Sequence, residues 1–526
     1  MDRFVPVSAF TDENLIVSTA QGQVRGSRAG STHRWLGIPY AAPALGQLRY
    51  RAPQPPTAWE GVRDALEFGS VAPQEQTKLI PIPPGLKISE DCLSLNIWAP
   101  EEAAIDARKR PVMVWIHGGA YFIGFSAQPI YKGQALAETG DVIIVTLNYR
   151  LGAVGFLDFR SFGDDEHVFE ANLGLRDIIA ALQWVKANIA GFGGDPDQVT
   201  LFGESAGGGC VTTLMTSPLA KGLFHRAIAE SAPATSVYGP ERTAAIAGAY
   251  LDLMGIDHSE AKTKLRELTA EELASKTTAH LDYVATTWPG LVAFAPAIDG
   301  EVITAHPVEI FRAGEQMRIP LIIGTNKDEA ALFKLMKSPL MPITGPSLHA
   351  MFDAVATESP EFAGAEQRIT AAYAGYPKQS ACMKVSRDAG FRMPCTWVAA
   401  AHSRVAPTWM YRFDQAPPLF RLLGIGASHG TELAYVFGTL PVKVNIKNPG
   451  FLLGGLKEAR VISQRMQARW AAFGRNADPS CDSQPAWPQY DETSRSTLLI
   501  NKTDAIANDP DGAIRQAWGE DILGFR

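Results

Sequence analysis

Cysteine is scarce in this chain. Five occur in 526 residues (Cys92, Cys210, Cys382, Cys395 and Cys481), and no two form a C-x-x-C pair. Thiols so few, odd in number and far apart argue against a disulfide framework and against a metal cluster. Long runs of like charge are missing too. Lys and Arg total 48 against 55 Asp and Glu, the net charge is −7 and the pI about 5.9. No basic run of five or more occurs, so nothing favours nucleic acid or an anionic membrane surface as a partner. There is no stretch of about 18 apolar residues, which excludes an obvious membrane-spanning helix. The opening, Met1-Asp2-Arg3-Phe4-Val5-Pro6-Val7, lacks the cationic stretch and apolar core of a secretory leader. The expectation is a cytoplasmic protein with neither metal nor organic cofactor.

What is present is ordinary globular material, 46% apolar and 20% charged, ample for a large core. Leu15-Ile16-Val17-Ser18-Thr19 followed by Gly22-Gln23-Val24-Arg25-Gly26 predicts a β-hairpin. Ser70 to Glu90 is rich in Pro and Gly without helical period, a long loop. Val112–Ile116 and Val142–Thr146 are continuous apolar runs, suited to strands covered on both faces. Leu175, Ile178, Ile179, Leu182 and Val185 recur at helical spacing between Asn172 and Ile189. Further strands are expected at 199–202, 227–229, 321–324 and 409–413, and a long amphipathic helix from about Leu456 to Phe473. Strands alternating with helices predict an α/β sheet with helices on both faces. There is no internal repeat or low-complexity linker. One domain spanning 1–526 is expected, with helical insertions at about 240–290 and 335–400 roofing the site.

The most informative feature is Gly203-Glu204-Ser205-Ala206-Gly207. A bare G-x-S-x-G is common. Here it follows the apolar strand Val199-Thr200-Leu201-Phe202 and precedes Gly208-Gly209-Cys210-Val211, the start of a buried helix. Strand, sharp turn and helix is the setting in which the central Ser is a strained, exposed nucleophile. The helix N-terminus beneath it offers free N–H groups to a developing anion. The plainer alternative is a Gly-rich turn.

A serine hydroxyl needs a base, and the base an orienting carboxylate. On this scaffold they follow in the order Ser, acid, His. Of the histidines beyond Ser205, His429 lies among small residues, Gly426-Ala427-Ser428-His429-Gly430, in a loop able to bring an imidazole over the sheet edge. His349 and His402 sit in helical patterns. The loop after the 321–324 strand reads Thr325-Asn326-Lys327-Asp328-Glu329, and local pattern does not choose between Asp328 and Glu329. His117-Gly118-Gly119-Ala120 follows the strand ending at Ile116. With Ala206, the N–H groups of Gly119 and Ala120 would make a three-donor oxyanion hole.

These motifs together resemble the type-B carboxylesterase family, which includes bacterial para-nitrobenzyl esterases, animal carboxylesterases and cholinesterases. The resemblance runs through Trp35-Leu36-Gly37-Ile38-Pro39-Tyr40-Ala41, Ser89-Glu90-Asp91-Cys92-Leu93-Ser94-Leu95-Asn96-Ile97-Trp98, Trp115–Ala120, Asn148-Tyr149-Arg150-Leu151-Gly152, Phe192-Gly193-Gly194-Asp195-Pro196, the elbow, and Trp487-Pro488-Gln489-Tyr490. It implies an α/β-hydrolase fold, with Glu329 as the acid and His429 as the base. It also implies a negative charge beside the nucleophile at Glu204 and a structural ion pair between Arg49 and Glu90. Some positions depart from the pattern. Ala330 replaces the Gly that usually follows the acid. No cysteine precedes Cys92 to form the bridge of secreted members. Ser70 to Glu90 holds no aromatic to stack on a quaternary ammonium, which makes cholinesterase activity improbable. Where cholinesterases carry bulky acyl-pocket aromatics, this chain has Pro289-Gly290-Leu291-Val292.

The resulting expectation is a hydrolase of small-molecule carboxylic esters working through an acyl-enzyme on Ser205. The acyl pocket would be roomy, bordered by Trp288, Tyr238 and Val292, and Gly118, Tyr121, Phe122 and Glu204 are further candidate contacts. Tyr121 and Phe122 can line the gorge or simply pack. Alternatives are the same triad acting on an amide, lipid or thioester, and a non-catalytic binding module. Nothing in the sequence sets the oligomeric state.

Overall fold

The continuous apolar runs of the sequence form the middle of one large sheet. In the computed structural model, residues 15–77, 80–104, 106, 108–443, 449–482, 484–521 and 524 are described. The opening segment Met1–Val7 lies outside them. The strands are β1 (Ile16–Thr19), β2 (Gly22–Arg25), β3 (Ser27–Ala29), β4 (Thr32–Pro39), β5 (Val62–Asp64), β6 (Ser94–Pro100), β7 (Arg110–Ile116), β8 (Ile143–Leu147), β9 (Gly194–Glu204), β10 (Arg226–Glu230), β11 (Leu321–Asn326), β12 (Thr408–Phe413), β13 (Ser496–Ile500) and β14 (Ala505–Asn508). Eleven of them pair in the order β14-β13-β12-β11-β10-β9-β7-β8-β6-β4-β3. From β8 to β13 neighbours run parallel, and antiparallel pairs flank them on both sides. The predicted hairpin is β1 with β2, Ile16 opposite Arg25, in a separate small sheet with β5.

Side chains alternate across a strand, so each central strand feeds two cores. From β7, Val112, Val114 and Ile116 pack in one cluster with Leu175, Ile178 and Leu182 of the helix Leu173–Asn188. Met113 and Trp115 join the other cluster, with Ile462, Met466 and Trp470 of the helix Leu456–Asn476. Each large apolar side chain so buried contributes about 1.5–3 kcal/mol. Burial on both faces is why these strands read as unbroken apolar runs.

The segments expected as insertions are helical. Pro240–Met254, Ala261–Glu267, Ala270–Ala274 and Thr277–Thr287 occupy the first. Gly345–Glu358, Ala365–Thr370, Gln379–Arg387 and Met393–Ser403 lie within or overlap the second. A buried ion pair ties the first to the body. Arg49 donates to both carboxylate oxygens of Glu90, at 2.7 and 2.5 Å. Its Nη1 also donates to the carbonyls of Leu265, Arg266 and Leu268. None of the five cysteines is disulfide-bonded. Among the described residues, no helix is long and apolar enough to cross a membrane.

Candidate active site

The turn from β9 into the helix Ala206–Leu214 puts Ser205 at φ 58°, ψ −125°, a backbone state that costs of order 1–3 kcal/mol outside glycine. The surroundings hold it there. The Ser205 N–H donates to the carbonyl of Glu230 on β10 at 2.9 Å, and the Ser205 carbonyl accepts the Gly209 N–H at 2.8 Å. Gly207 is obligatory for the approach of this turn to β7, because a Cβ there would lie 2.1 Å from the Ile116 carbonyl oxygen.

His429 is buried beside the elbow. Its Nδ1–H donates to Glu329 Oε2 at 2.7 Å, which assigns the tautomer, since an ionised carboxylate only accepts. Its Nε2 is 3.2 Å from Glu204 Oε1 but makes no hydrogen bond. Both Ser205 and His429 open on the same cavity. Phe391 and Phe333 pack on the imidazole with ring centres 4.6 and 5.2 Å away. Glu329, fully buried, also accepts from the Asn326 N–H and the Ser231 hydroxyl, each at 2.6 Å. Asp328 does other work: its carboxylate accepts the Ala427 N–H and so fastens the loop that carries His429.

Charge is concentrated here. Burial favours the neutral form of Glu204 and raises its pKa, with the neighbouring Glu329 adding to the rise. Burial alone would lower the pKa of His429, but Glu204 and Glu329 outweigh it and the imidazole is held above its ordinary value. Further back, burial raises the pKa of Glu230 to about 8, and Trp470 Nε1 donates to its carboxyl at 2.7 Å. Glu432, buried and close enough to feel Glu204, Glu230 and Glu329, is shifted upward as well.

The loop after β7 supplies the other side. Tyr149 donates its hydroxyl to the His117 carbonyl at 2.6 Å and stacks on the His117 ring at 4.4 Å. Burial lowers the His117 pKa to about 4, so this ring is neutral packing rather than a charge. Gly119 has φ 121°, and a Cβ there would meet the Ile123 carbonyl oxygen at 1.9 Å. Among the described residues, no hydrogen bond engages the N–H groups of Gly119, Ala120 or Ala206.

The cavity measures about 570 Å³, within the range of small-molecule sites. Gly118, Gly119, Ala120, Tyr121, Phe122, Glu204, Ala206, Tyr238 and Val292 all line it. Tyr238 also accepts the Val292 N–H on its hydroxyl at 2.9 Å. Trp288 does not line it. That residue closes the helix Thr277–Thr287, and its ring runs back onto Tyr283, 6.1 Å between centres, leaving Gly290 and Val292 in the wall. Leu281 comes from the first helical segment and Met351 and Phe391 from the second. Sequence reasoning missed Ser231, Phe333, Phe391 and Glu432. None carried a signal in the sequence: Glu432 follows His429 by three residues, but the stretch between them is a turn that ends at the short helix Leu433–Val436.

A mostly parallel sheet, a serine on a strained strand–helix turn at the end of β9, and an acid and histidine from later loops define an α/β hydrolase. Residues 13–518 match the model of the carboxylesterase family. The para-nitrobenzyl esterase of Bacillus subtilis (strain 168) is 38% identical over 514 residues, covering 95% of this chain and 98% of that protein. A cocaine esterase of Oryctolagus cuniculus is 34% identical, covering 96% and 95%. Among solved structures, a thermophilic PNB esterase superposes with a TM-score of 0.84 at 36% identity, covering 96% of this chain and 100% of that one. The chain belongs to the carboxylesterase family. It is an enzyme that hydrolyses small-molecule carboxylic esters.

Proposed function

We propose that Ser205 is the nucleophile, His429 the base, Glu329 the orienting acid, and the N–H groups of Gly119, Ala120 and Ala206 the oxyanion hole. His429 Nε2 takes the Ser205 proton as Oγ bonds to the ester carbonyl carbon. The three N–H groups hold the oxyanion, and Glu329 steadies the imidazolium. The C–O bond to the alcohol breaks, and the alcohol leaves with the proton from Nε2. Water then gives a proton to Nε2 as its oxygen bonds to the acyl carbon; the C–Oγ bond breaks, Oγ takes that proton back from Nε2, and the acid leaves the free enzyme. The observation that carries this reading is the meeting of Ser205, the His429–Glu329 hydrogen bond and three unengaged N–H groups at one cavity wall.

The rest of that wall points to the substrate. It is mostly apolar, and among the described residues Glu204 and Lys337 are its charged groups apart from His429. This favours uncharged, bulky esters, with Tyr238 and Val292 bordering a roomy acyl side. Residues 1–526 read as one catalytic unit roofed by the segments at about 240–290 and 335–400. Five free thiols suit a reducing, cytoplasmic setting.

The test is intact-protein mass after brief exposure to an organophosphonate, run beside a p-nitrophenyl ester series from acetate to hexanoate. One adduct on Ser205 with turnover abolished is the expected result. Turnover surviving full labelling of Ser205 would remove it from the mechanism. Acetate turning over far faster than butyrate and hexanoate would remove the roomy acyl side. Anilides cleaved as fast as esters would make the enzyme an amidase.

A further inference from the structure

A second cavity, about 30 Å³, lies behind the loop that carries Glu329. Its wall comes from β11, β12, β13, the start of the helix Met393–Ser403, and residues 509–515. Thr325 is in register with Arg412, and Met410 with Thr497, so these four share one face of the sheet. Four arginines line the space: Arg392, Arg412, Arg495 and Arg515.

Their charges are not fully matched. Arg412 pairs with Asp414 and Asp511, and Arg515 with Asp509. Arg392 Nη1 is 3.3 Å from Asp511 and 3.8 Å from Asp388, and the neighbouring Arg387 already occupies Asp388 at 2.7 Å. Arg495 is 9% exposed, and among the described residues no carboxylate lies within salt-bridge reach of it. Its Nη1 donates to the Tyr490 hydroxyl at 3.0 Å, while Asp491 and Glu492 reach it only through their field. Among the described residues, five guanidinium groups therefore share four carboxylates within salt-bridge reach, those of Asp388, Asp414, Asp509 and Asp511, with Asp491 and Glu492 farther off. Arg392 is 3% exposed and its Nε has no hydrogen-bond partner. Burial lowers its pKa, and repulsion from Arg387 and Arg412 adds to the fall.

A buried donor without a partner, next to surplus positive charge, is costly. The Nε itself is closed to water; what faces the cavity is the guanidinium charge around it. Roughly 10–15 Å³ of such space holds one water, so this cavity admits two or three waters or a single halide. We propose that it is a binding site for a small monovalent anion of chloride size, held by Arg392, Arg495 and the Thr325 hydroxyl. Such an ion also steadies the acid loop, because Arg392 Nη2 donates to the Asn326 carbonyl at 3.0 Å and Arg387 Nη1 to that of Lys327 at 3.2 Å.

The test pairs diffraction with melting. Crystals of the full chain grown in sodium bromide are measured at the bromine edge. In parallel, Tm is followed while sodium chloride replaces sodium gluconate at constant ionic strength. The expected result is an anomalous peak beside Arg392 and Arg495, with a rise in Tm that reaches about 1 °C at tenfold excess over Kd and goes on growing with the logarithm of chloride concentration. In Arg495→Met that chloride-dependent rise disappears. If this variant does not fold, the bromide peak and the unmodified chain's dependence of Tm on chloride decide. Water density without a bromide peak overturns the proposal. So does a peak without chloride-dependent stabilisation, which would mean an adventitious ion only, and so does an unchanged chloride response in Arg495→Met.

Discussion

Two carboxylates compete for influence over one imidazole, and this sets how His429 titrates. Glu329 accepts from Nδ1, and Glu204 stands 3.2 Å from Nε2, the atom that receives the serine proton in the proposed mechanism. Both favour the imidazolium and raise the His429 pKa. A base must be neutral to act, so activity should rise as pH climbs through that raised value. Glu204→Gln removes one negative charge and keeps the shape. The His429 pKa then falls, and the acid limb of kcat/KM moves to lower pH by roughly one unit, on the scale of a close charge pair. A pH–rate profile that does not move would mean Glu204 is already neutral in the free enzyme. At the nucleophile itself, Ser205→Ala should lower kcat by about 10⁴-fold or more. Its Tm should stay within a degree or so, since among the described residues the Ser205 hydroxyl makes no hydrogen bond. A large drop in Tm would instead make Ser205 a structural residue.

At the scale of elements, the elbow works only if β9, the helix after it and β7 approach to backbone contact. Gly207→Ala tests this, because its Cβ would stand 2.1 Å from the Ile116 carbonyl oxygen and 2.9 Å from that of His117. Overpacking of this kind costs about 1–3 kcal/mol and displaces the end of the strand that delivers Gly119 and Ala120. Both kcat and Tm should fall, kcat by about 100-fold, the usual penalty of a misplaced site. Normal kinetics would mean that the loop is positioned independently of β7. The same contact explains what the sequence could reveal. Strands β7, β8 and β9 and the helix Leu173–Asn188 were legible because burial on both faces, or along one helical stripe, leaves a periodic trace. Glu329 and His429 were legible because small residues and a strand end announced their loops, although choosing Glu329 over Asp328 needed the family resemblance. Phe333 and Phe391 were not. They meet His429 from helices far away in sequence, and a buried aromatic there looks like any other core residue. Trp288 was misplaced for a related reason: position in the chain gave its neighbours in the wall, but rotamer and helix end turned its ring onto Tyr283.

Across the whole molecule, the cavity is the gap between the sheet's C-terminal edge and two helical segments that the sheet does not itself align. Tyr238 and Val292, joined by a hydrogen bond, line it together with Leu281, and Phe333 and Phe391, stacked on each other, line it together with Met351 and Ser205. The body holds the first segment through Arg49, whose guanidinium spans Glu90 and three carbonyls at 265–268. If the Val292 side receives the acyl group, filling it should discriminate by acyl length alone. Val292→Trp should then cut kcat/KM for p-nitrophenyl hexanoate by 10-fold or more, the roughly 1–3 kcal/mol of forced overpacking. Acetate should change by less than about twofold, and acetates of bulky alcohols should be cleaved as before, since small groups never enter the filled space. A loss that falls on bulky alcohols and spares long acyl chains would reverse the assignment, placing the acyl group against Phe333 and Phe391. An equal loss on every ester would mean that Val292 supports the oxyanion wall through Tyr238, whose hydroxyl accepts its N–H.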